Sequence, residues 1–157
     1  MKTVNHDYLE SGMYVANTIK PKGLFTKKIY VYDVRMKKPN GRDFINIKPA
    51  HSIEHLIADT MKKLYPGKVI SWNMFMCQTG GYLETYLEPE EAREAILETI
   101  DNIMYLEVVP FATRQECGNY KTHDLEGAKK ELMEFAKLLE RQMYVPYYKE
   151  LPQNEVE

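Results

Sequence analysis

The chain has 157 residues, of which 44% are apolar and 28% charged, with a formal net charge of -2. A chain of that length buries roughly 70% of the surface its unfolded form exposes, so a single domain spanning residues 1–157 with a real core is expected without disulfides. The charge lacks the basic footprint of a nucleic-acid binder, and no stretch approaches the about 18 apolar residues of a bilayer span, so neither partner is expected and the cytoplasm is the default address.

The strand signal comes first, at Lys28 to Met36, "KIYVYDVRM", where Ile29, Val31 and Asp33 alternate with Tyr30, Tyr32 and Val34. Pro39, Asn40 and Gly41 then supply a turn, because proline presets φ and glycine tolerates positive φ. Pro49 suits the first turn of a helix, and from Ala50 to Leu64 the residues Ile53, Leu56, Ile57, Met61 and Leu64 recur at spacings of three and four. Pro66 and Gly67 end that helix.

Val69 to Met76 and Tyr82 to Leu87 read as two strands of a hairpin, joined across "CQTGG", whose glycines allow a tight or irregular connection. A second helix is expected from Pro89 to Val108, with proline at its start and carboxylates in its first turn, where the helix dipole favours them. "TRQECGNYKTHD" is a polar loop. Asp124 is the N-cap of a last helix running from Leu125 to about Met143, with Ala128, Leu132, Phe135 and Leu139 on one face. The tail from about Tyr144 is aromatic and broken by prolines, and packing over the last helix is its simplest use. Mixed helices and hairpin-linked strands indicate an α+β fold with a mainly antiparallel sheet packed against helices.

The chemistry concentrates at His51 to Leu56, "HSIEHL". Residues four apart on a helix stack, so His51 and His55 can aim two imidazoles at one divalent ion, with Glu54 beside them. Both flank the apolar row of Ile53, Leu56 and Ile57, so they are expected to be half-buried, and half-buried imidazoles need partners. The blander reading is a pair of histidines on a solvated face, as chance spacing produces. A metal needs at least one more protein ligand, and His6, His123, Cys77, Cys117 and Glu131 are the candidates. With no recognisable secretory signal, the two cysteines, Cys77 and Cys117, are left to metal binding or catalysis and are not expected to pair. H-x-x-E-H is also the signature of a class of zinc metallopeptidases, in which a distant glutamate such as Glu131 is the third ligand.

Taken together, "YDVRMKKPN" from Tyr32, "HSIEHL", "CQTGGYL" from Cys77, "ECGNY" from Glu116 and "HDLEGAK" from His123 resemble the S-ribosylhomocysteine lyase (LuxS) family, with the motifs in that family's order over roughly residues 28–140. The resemblance implies a homodimer with its active sites at the interface and one divalent metal per subunit, Fe²⁺ natively and Zn²⁺ or Co²⁺ as substitutes. His51, His55 and Cys117 would be the ligands. It implies that the small-molecule substrate, S-ribosylhomocysteine, is cleaved to homocysteine and 4,5-dihydroxy-2,3-pentanedione by carbonyl migration and β-elimination. Cys77 would shuttle protons in the early isomerisations, and Glu54 would act in the later transfers. Arg35 and His6 would serve the substrate, Arg35 also holding Cys77 as thiolate.

Three departures from the family pattern stand out. "VNH" at Val4 to His6 matches the family's N-terminal L-D-H, but Met1 falls where the family has a serine. Met76 replaces a glycine before the cysteine, and Ser71 and Trp72 replace an acidic strand end. A peptidase with a glutamate ligand, and a non-catalytic metal-binding module on the same scaffold, are the alternatives to the lyase.

Overall fold

In the computed structural model, which describes residues 4–152, four strands and three helices are laid out as two layers. A short 3-10 turn (His6–Tyr8) leads into β1 (Gly12–Ile19) and β2 (Ile29–Arg35), then α1 (Ile47–Leu64), β3 (Val69–Met74), β4 (Gly80–Thr85), α2 (Pro89–Ile103) and α3 (Leu125–Arg141), before a second 3-10 turn (Tyr148–Glu150). The sheet order is β1-β2-β4-β3, with every pair antiparallel. This is the expected α+β fold. Among the described residues no helix is long and apolar enough to cross a membrane.

Alternation decides which face of the sheet meets the helices. Val15 pairs with Tyr32, Tyr32 with Leu83, and Leu83 with Trp72, a row crossing all four strands. Each of these side chains is buried and belongs to one core with Ile53, Leu56 and Ile57 of α1. The three helices pack on one another over that face, α1 against β3 and α3 against β1. The next row, Tyr14, Asp33 and Tyr82, points the other way. Asp33 and Arg35 on that side are nevertheless buried, at 0% and 3% exposure. A second apolar cluster of Val4, Leu9 and Tyr14, joined by Tyr148 and Leu151, lies over that face.

The tail therefore does more than pack over the last helix. Val15 N–H donates to the Pro146 carbonyl at 2.8 Å, and Tyr147 forms a parallel bridge with Val15. Gln142, just past α3, accepts from Met13 N–H at 2.8 Å and donates to the Met13 carbonyl at 2.6 Å. These bonds satisfy the edge of β1 that would otherwise be open. Residues 153–157, the rest of the tail, lie outside the described residues, as does Met1.

Several element ends differ from the sequence reading. β1 carries no clean alternation, because a register shift between Val15 and Asn17 throws its side chains out of phase, and Ala16 and Asn17 are poor strand formers. α1 starts at Ile47, before Pro49, which still falls in the first turn. α2 ends at Ile103, where the Met104 N–H is shared among carbonyls of the last turn, so residues 105–123 form a long irregular loop. β4 begins at Gly80, and both glycines of "CQTGG" lie inside the strand. The hairpin is closed by Phe75 N–H to the Gly80 carbonyl at 2.8 Å and Gln78 N–H to the Phe75 carbonyl at 3.0 Å.

Gly80 has φ of 151°, and a Cβ there would lie 2.1 Å from the Val34 carbonyl oxygen of β2. Gly80→Ala is expected to cost about 2–4 kcal/mol through strain and sheet separation. Chemical denaturation compared with wild type checks it, and an unchanged midpoint would contradict the close approach.

Candidate metal centre

Three histidines and one cysteine converge where α1 faces the loop between α2 and α3. His51, His55, Cys117 and His123 are all half-buried and each offers one ligand atom, the four atoms lying within 4.8 Å of one another. The Cys117 sulfur is 3.4 Å from His51 Nε2 and 3.6 Å from His123 Nε2. Tetrahedral bonds of roughly 2.3 Å to sulfur and 2.0–2.1 Å to nitrogen require S···N edges of about 3.5 Å. The donor set and its spacing suit one ion that accepts nitrogen and thiolate ligands.

The outer nitrogens explain why the inner ones point together. His51 Nδ1 lies 3.1 Å from the Thr122 carbonyl and 2.9 Å from the Thr122 hydroxyl, whose own proton goes to the Asn119 carbonyl at 2.8 Å, and His55 Nδ1 lies 2.8 Å from the Pro110 carbonyl. A carbonyl oxygen can only accept, so both Nδ1 atoms carry protons, and in the neutral ring that leaves Nε2 as the nitrogen with a lone pair to offer a metal. The loop residues that supply these carbonyls are held in turn. Thr122 N–H donates to the Asn119 carbonyl at 3.1 Å, Cys117 N–H to the Thr113 carbonyl at 2.9 Å, and Phe111, just after Pro110, sits in the left-handed region at φ 55°. A non-glycine residue adopts that conformation only where its surroundings impose it.

His123 differs in one respect. Its Nδ1 faces the hydroxyl of Ser52, 3.3 Å away, and a hydroxyl can donate or accept. Ser52, wholly buried between the two α1 histidines, also accepts Asp124 N–H at 2.8 Å, while the Asp124 side chain caps α3 at Gly127 N–H, 2.8 Å away. One serine thus ties the start of α3 to the metal cluster. Burial first, then the adjacent His51 and His55, push the His123 pKa down to about 4, so the ring is neutral at pH 7. His123 stood in the sequence only as one of several ligand candidates. The signal that could have singled it out is its place directly before the N-cap Asp124, which fixes its position at a helix start.

The other predicted residues fall into different places. Glu54 lines a cleft of about 350 Å³ together with His51, Met74, Met76 and Gln78. Cys77 is solvent-exposed and lies in sequence between two of those lining residues. Arg35 is buried behind it: Nη1 donates to Thr79 Oγ1 at 2.7 Å, Nη2 donates to Asp33 at 2.6 Å, and Thr79 Oγ1 is 3.1 Å from the Cys77 sulfur. Burial works against the guanidinium charge, but Asp33 and Tyr148 outweigh it and raise the Arg35 pKa. His6 is exposed on the N-terminal 3-10 turn and is not part of the metal cluster. Glu131, the glutamate a metallopeptidase would use, is 2.7 Å from Lys37 Nζ and is likewise not part of the cluster.

Removal of the sulfur is the sharpest check on the cluster. Cys117→Ala is expected to leave less than a tenth of the wild-type metal after dialysis, read by elemental analysis, and acidification should release metal from wild type because protons compete for the same lone pairs. Full metal retention in Cys117→Ala would remove the cysteine from the ligand set.

The comparisons with known proteins agree with this geometry. The family described as S-Ribosylhomocysteinase (LuxS) matches residues 2–145. The S-ribosylhomocysteine lyase of Helicobacter pylori (strain J99 / ATCC 700824) is 35% identical over 119 residues, covering 74% of this chain and 76% of the relative. Those of Listeria monocytogenes serotype 4a (strain HCC23) and Enterococcus faecalis (strain ATCC 700802 / V583) are 33% identical over 115 residues and 36% over 110, covering 72% and 69% of this chain and 73% and 68% of the relatives. With the family matched over nearly the whole described chain and the His and Cys motifs gathered at one point, the chain belongs to the S-ribosylhomocysteinase (LuxS) family.

Proposed function

We propose that the protein is a carbon-sulfur lyase that cleaves the thioether of S-ribosylhomocysteine to homocysteine and 4,5-dihydroxy-2,3-pentanedione, the precursor of an autoinducer. The observation that carries this reading is the convergence of the His51, His55, Cys117 and His123 ligand atoms beside a cleft lined by Glu54, in a chain of this family. His51, His55 and Cys117 are the ligands in this reading. A divalent ion held by them, Fe²⁺ or in its place Zn²⁺ or Co²⁺, supplies Lewis-acid polarisation of the sugar oxygens.

The remaining chemistry is proton movement. Each migration of the sugar carbonyl by one carbon takes a proton from one carbon and returns one to its neighbour. Once the carbonyl is at C3, loss of the C4 proton expels homocysteine from C5, and the enol left behind gains a proton at C5. Such steps need groups that accept and return protons near neutral pH. Cys77, exposed beside the cleft, serves the early transfers. Glu54, facing the cleft from α1 next to the metal ligands, serves the later ones and the elimination.

Arg35 acts from behind Cys77, holding its sulfur towards the thiolate through the Thr79 hydroxyl. His6 takes part from the N-terminal segment of the second protomer of a homodimer, which completes each cleft at the interface. Support for an additional covering surface comes from Ile47 and Met76, two large apolar side chains that line the same cleft and are left 61% and 94% exposed. The enzyme works in the cytoplasm in this reading. A metallopeptidase is not favoured, because Glu131 is paired with Lys37 and stands apart from the cluster.

Anaerobically purified, metal-loaded protein incubated with S-ribosylhomocysteine is expected to release free thiol. Glu54→Gln and Cys77→Ala should each lower the rate by about 10²–10⁴, the usual contribution of a positioned acid or base. Stoichiometric metal without thiol release in wild type would leave a binding module in place of a lyase.

A further inference from the structure

The family match ends at residue 145, yet the segment beyond it reaches into the buried polar pair behind Cys77. Tyr148 Oη donates to Asp33 Oδ2, the same oxygen that accepts from Arg35 Nη2. From Arg35 the chain of bonds runs on through Nη1 to Thr79 Oγ1, and from Thr79 to the Cys77 sulfur 3.1 Å away. The direction of these bonds is constrained. A guanidinium only donates, so Thr79 Oγ1 accepts from Arg35 and keeps its own proton available for the sulfur. That arrangement favours the charged form of the sulfur, because a hydrogen bond donated to a thiolate stabilises it.

We propose that Tyr148 is a positioning residue for Cys77: the C-terminal tail fixes Asp33 and Arg35 so that the guanidinium holds the Thr79 hydroxyl against the catalytic sulfur. Two further observations support it. The tail is anchored on both sides of Tyr148, by the Pro146 and Tyr147 bonds to Val15 and by the turn bond of Leu151 N–H to the Tyr148 carbonyl at 3.1 Å. The guanidinium is also stacked at 4.4 Å on Phe75, which lies edge-on to Tyr82 at 4.6 Å.

The ionisable groups around this chain are Arg35 and Asp33 on β2, Tyr82 on β4, Tyr14 on β1 and Tyr148 in the tail, with Glu54 on α1 lining the neighbouring cleft. Burial, then the charge of Asp33 and the bond to it, push the Tyr148 phenol upward, so it remains a donor throughout the working range. The proposal rests on the reading of Cys77 as the proton-moving thiol.

The test is alkylation of metal-loaded, substrate-free protein by iodoacetamide across a pH series, read on the Cys77 peptide by mass spectrometry so that Cys117 does not contribute. In Tyr148→Phe the midpoint of the Cys77 profile is expected to rise by about half a unit or more, equivalent to roughly a threefold loss of thiolate at neutral pH, with circular dichroism unchanged. Tyr148→Leu, which also fills the space without a hydroxyl, should do the same if the Phe variant folds poorly. Thr79→Val should shift the midpoint the same way and Thr79→Ser should restore it. A wild-type profile in the Tyr148 variants would overturn the inference. Because no substrate is present, that result is separate from failure of the lyase assay, which would leave the alkylation result standing.

Discussion

The site depends on two hydrogen bonds from imidazole Nδ1 atoms to backbone carbonyls, His51 to Thr122 and His55 to Pro110. A helix with histidines four apart sets two rings on one side, but neither the tautomer nor the rotation of each ring follows from the helix. The carbonyls set both, selecting the neutral tautomer in which Nε2 holds the lone pair and is directed inward. They can do so only because the loop between α2 and α3 is pinned by its own turns and by the buried Ser52, which bonds Asp124 N–H at the start of α3. The metal cluster and the folding of a nineteen-residue irregular connection, residues 105–123, are therefore one structure. Connections of that length in a compact domain are uncommon unless they carry function.

The second organised region lies on the opposite face of the sheet. Burying Asp33 and Arg35 costs desolvation, and a buried ion pair of this kind adds little net stability against an apolar pair. Its value is geometric. With Asp33 Oδ2 engaged by both Arg35 and Tyr148, and Phe75 stacked on the guanidinium, the donor facing Thr79 has one available direction. The hairpin between β3 and β4 then presents Cys77 from its connection, with Gln78 in the left-handed region at φ 61° just after it. The cleft beside the metal cluster thus meets two independently fixed sets of groups, one on α1 and its facing loop and one on the sheet.

Much of this was legible in the sequence. The periods of three and four along α1 and α3 and the alternation along β2 identified those elements, because burial on one face imposes the same period on any chain. The motif "HSIEH" pointed to a candidate metal site because ligand spacing on a helix is set by local geometry. β1 was missed, since its bulge between Val15 and Asn17 removes the alternation that marks a strand. His123 and Thr79 were not singled out, and Arg35, expected both to serve the substrate and to hold Cys77 as thiolate, lies buried behind Cys77. In each case the deciding neighbour is far away in the chain: Ser52 for His123, and Tyr148 for the Asp33 and Arg35 pair.

By itself the sequence determined the fold class, the helix that carries two of the clustered histidines and the family, all of which follow from local spacing and short ordered motifs. Only the tertiary structure decided that His123 joins the cluster, that the imidazole tautomers are set by loop carbonyls, and that the C-terminal tail reaches the polar pair behind Cys77. Those features arise from contacts between residues as far as 115 positions apart, and no period or spacing encodes a contact between segments whose meeting depends on the packed fold.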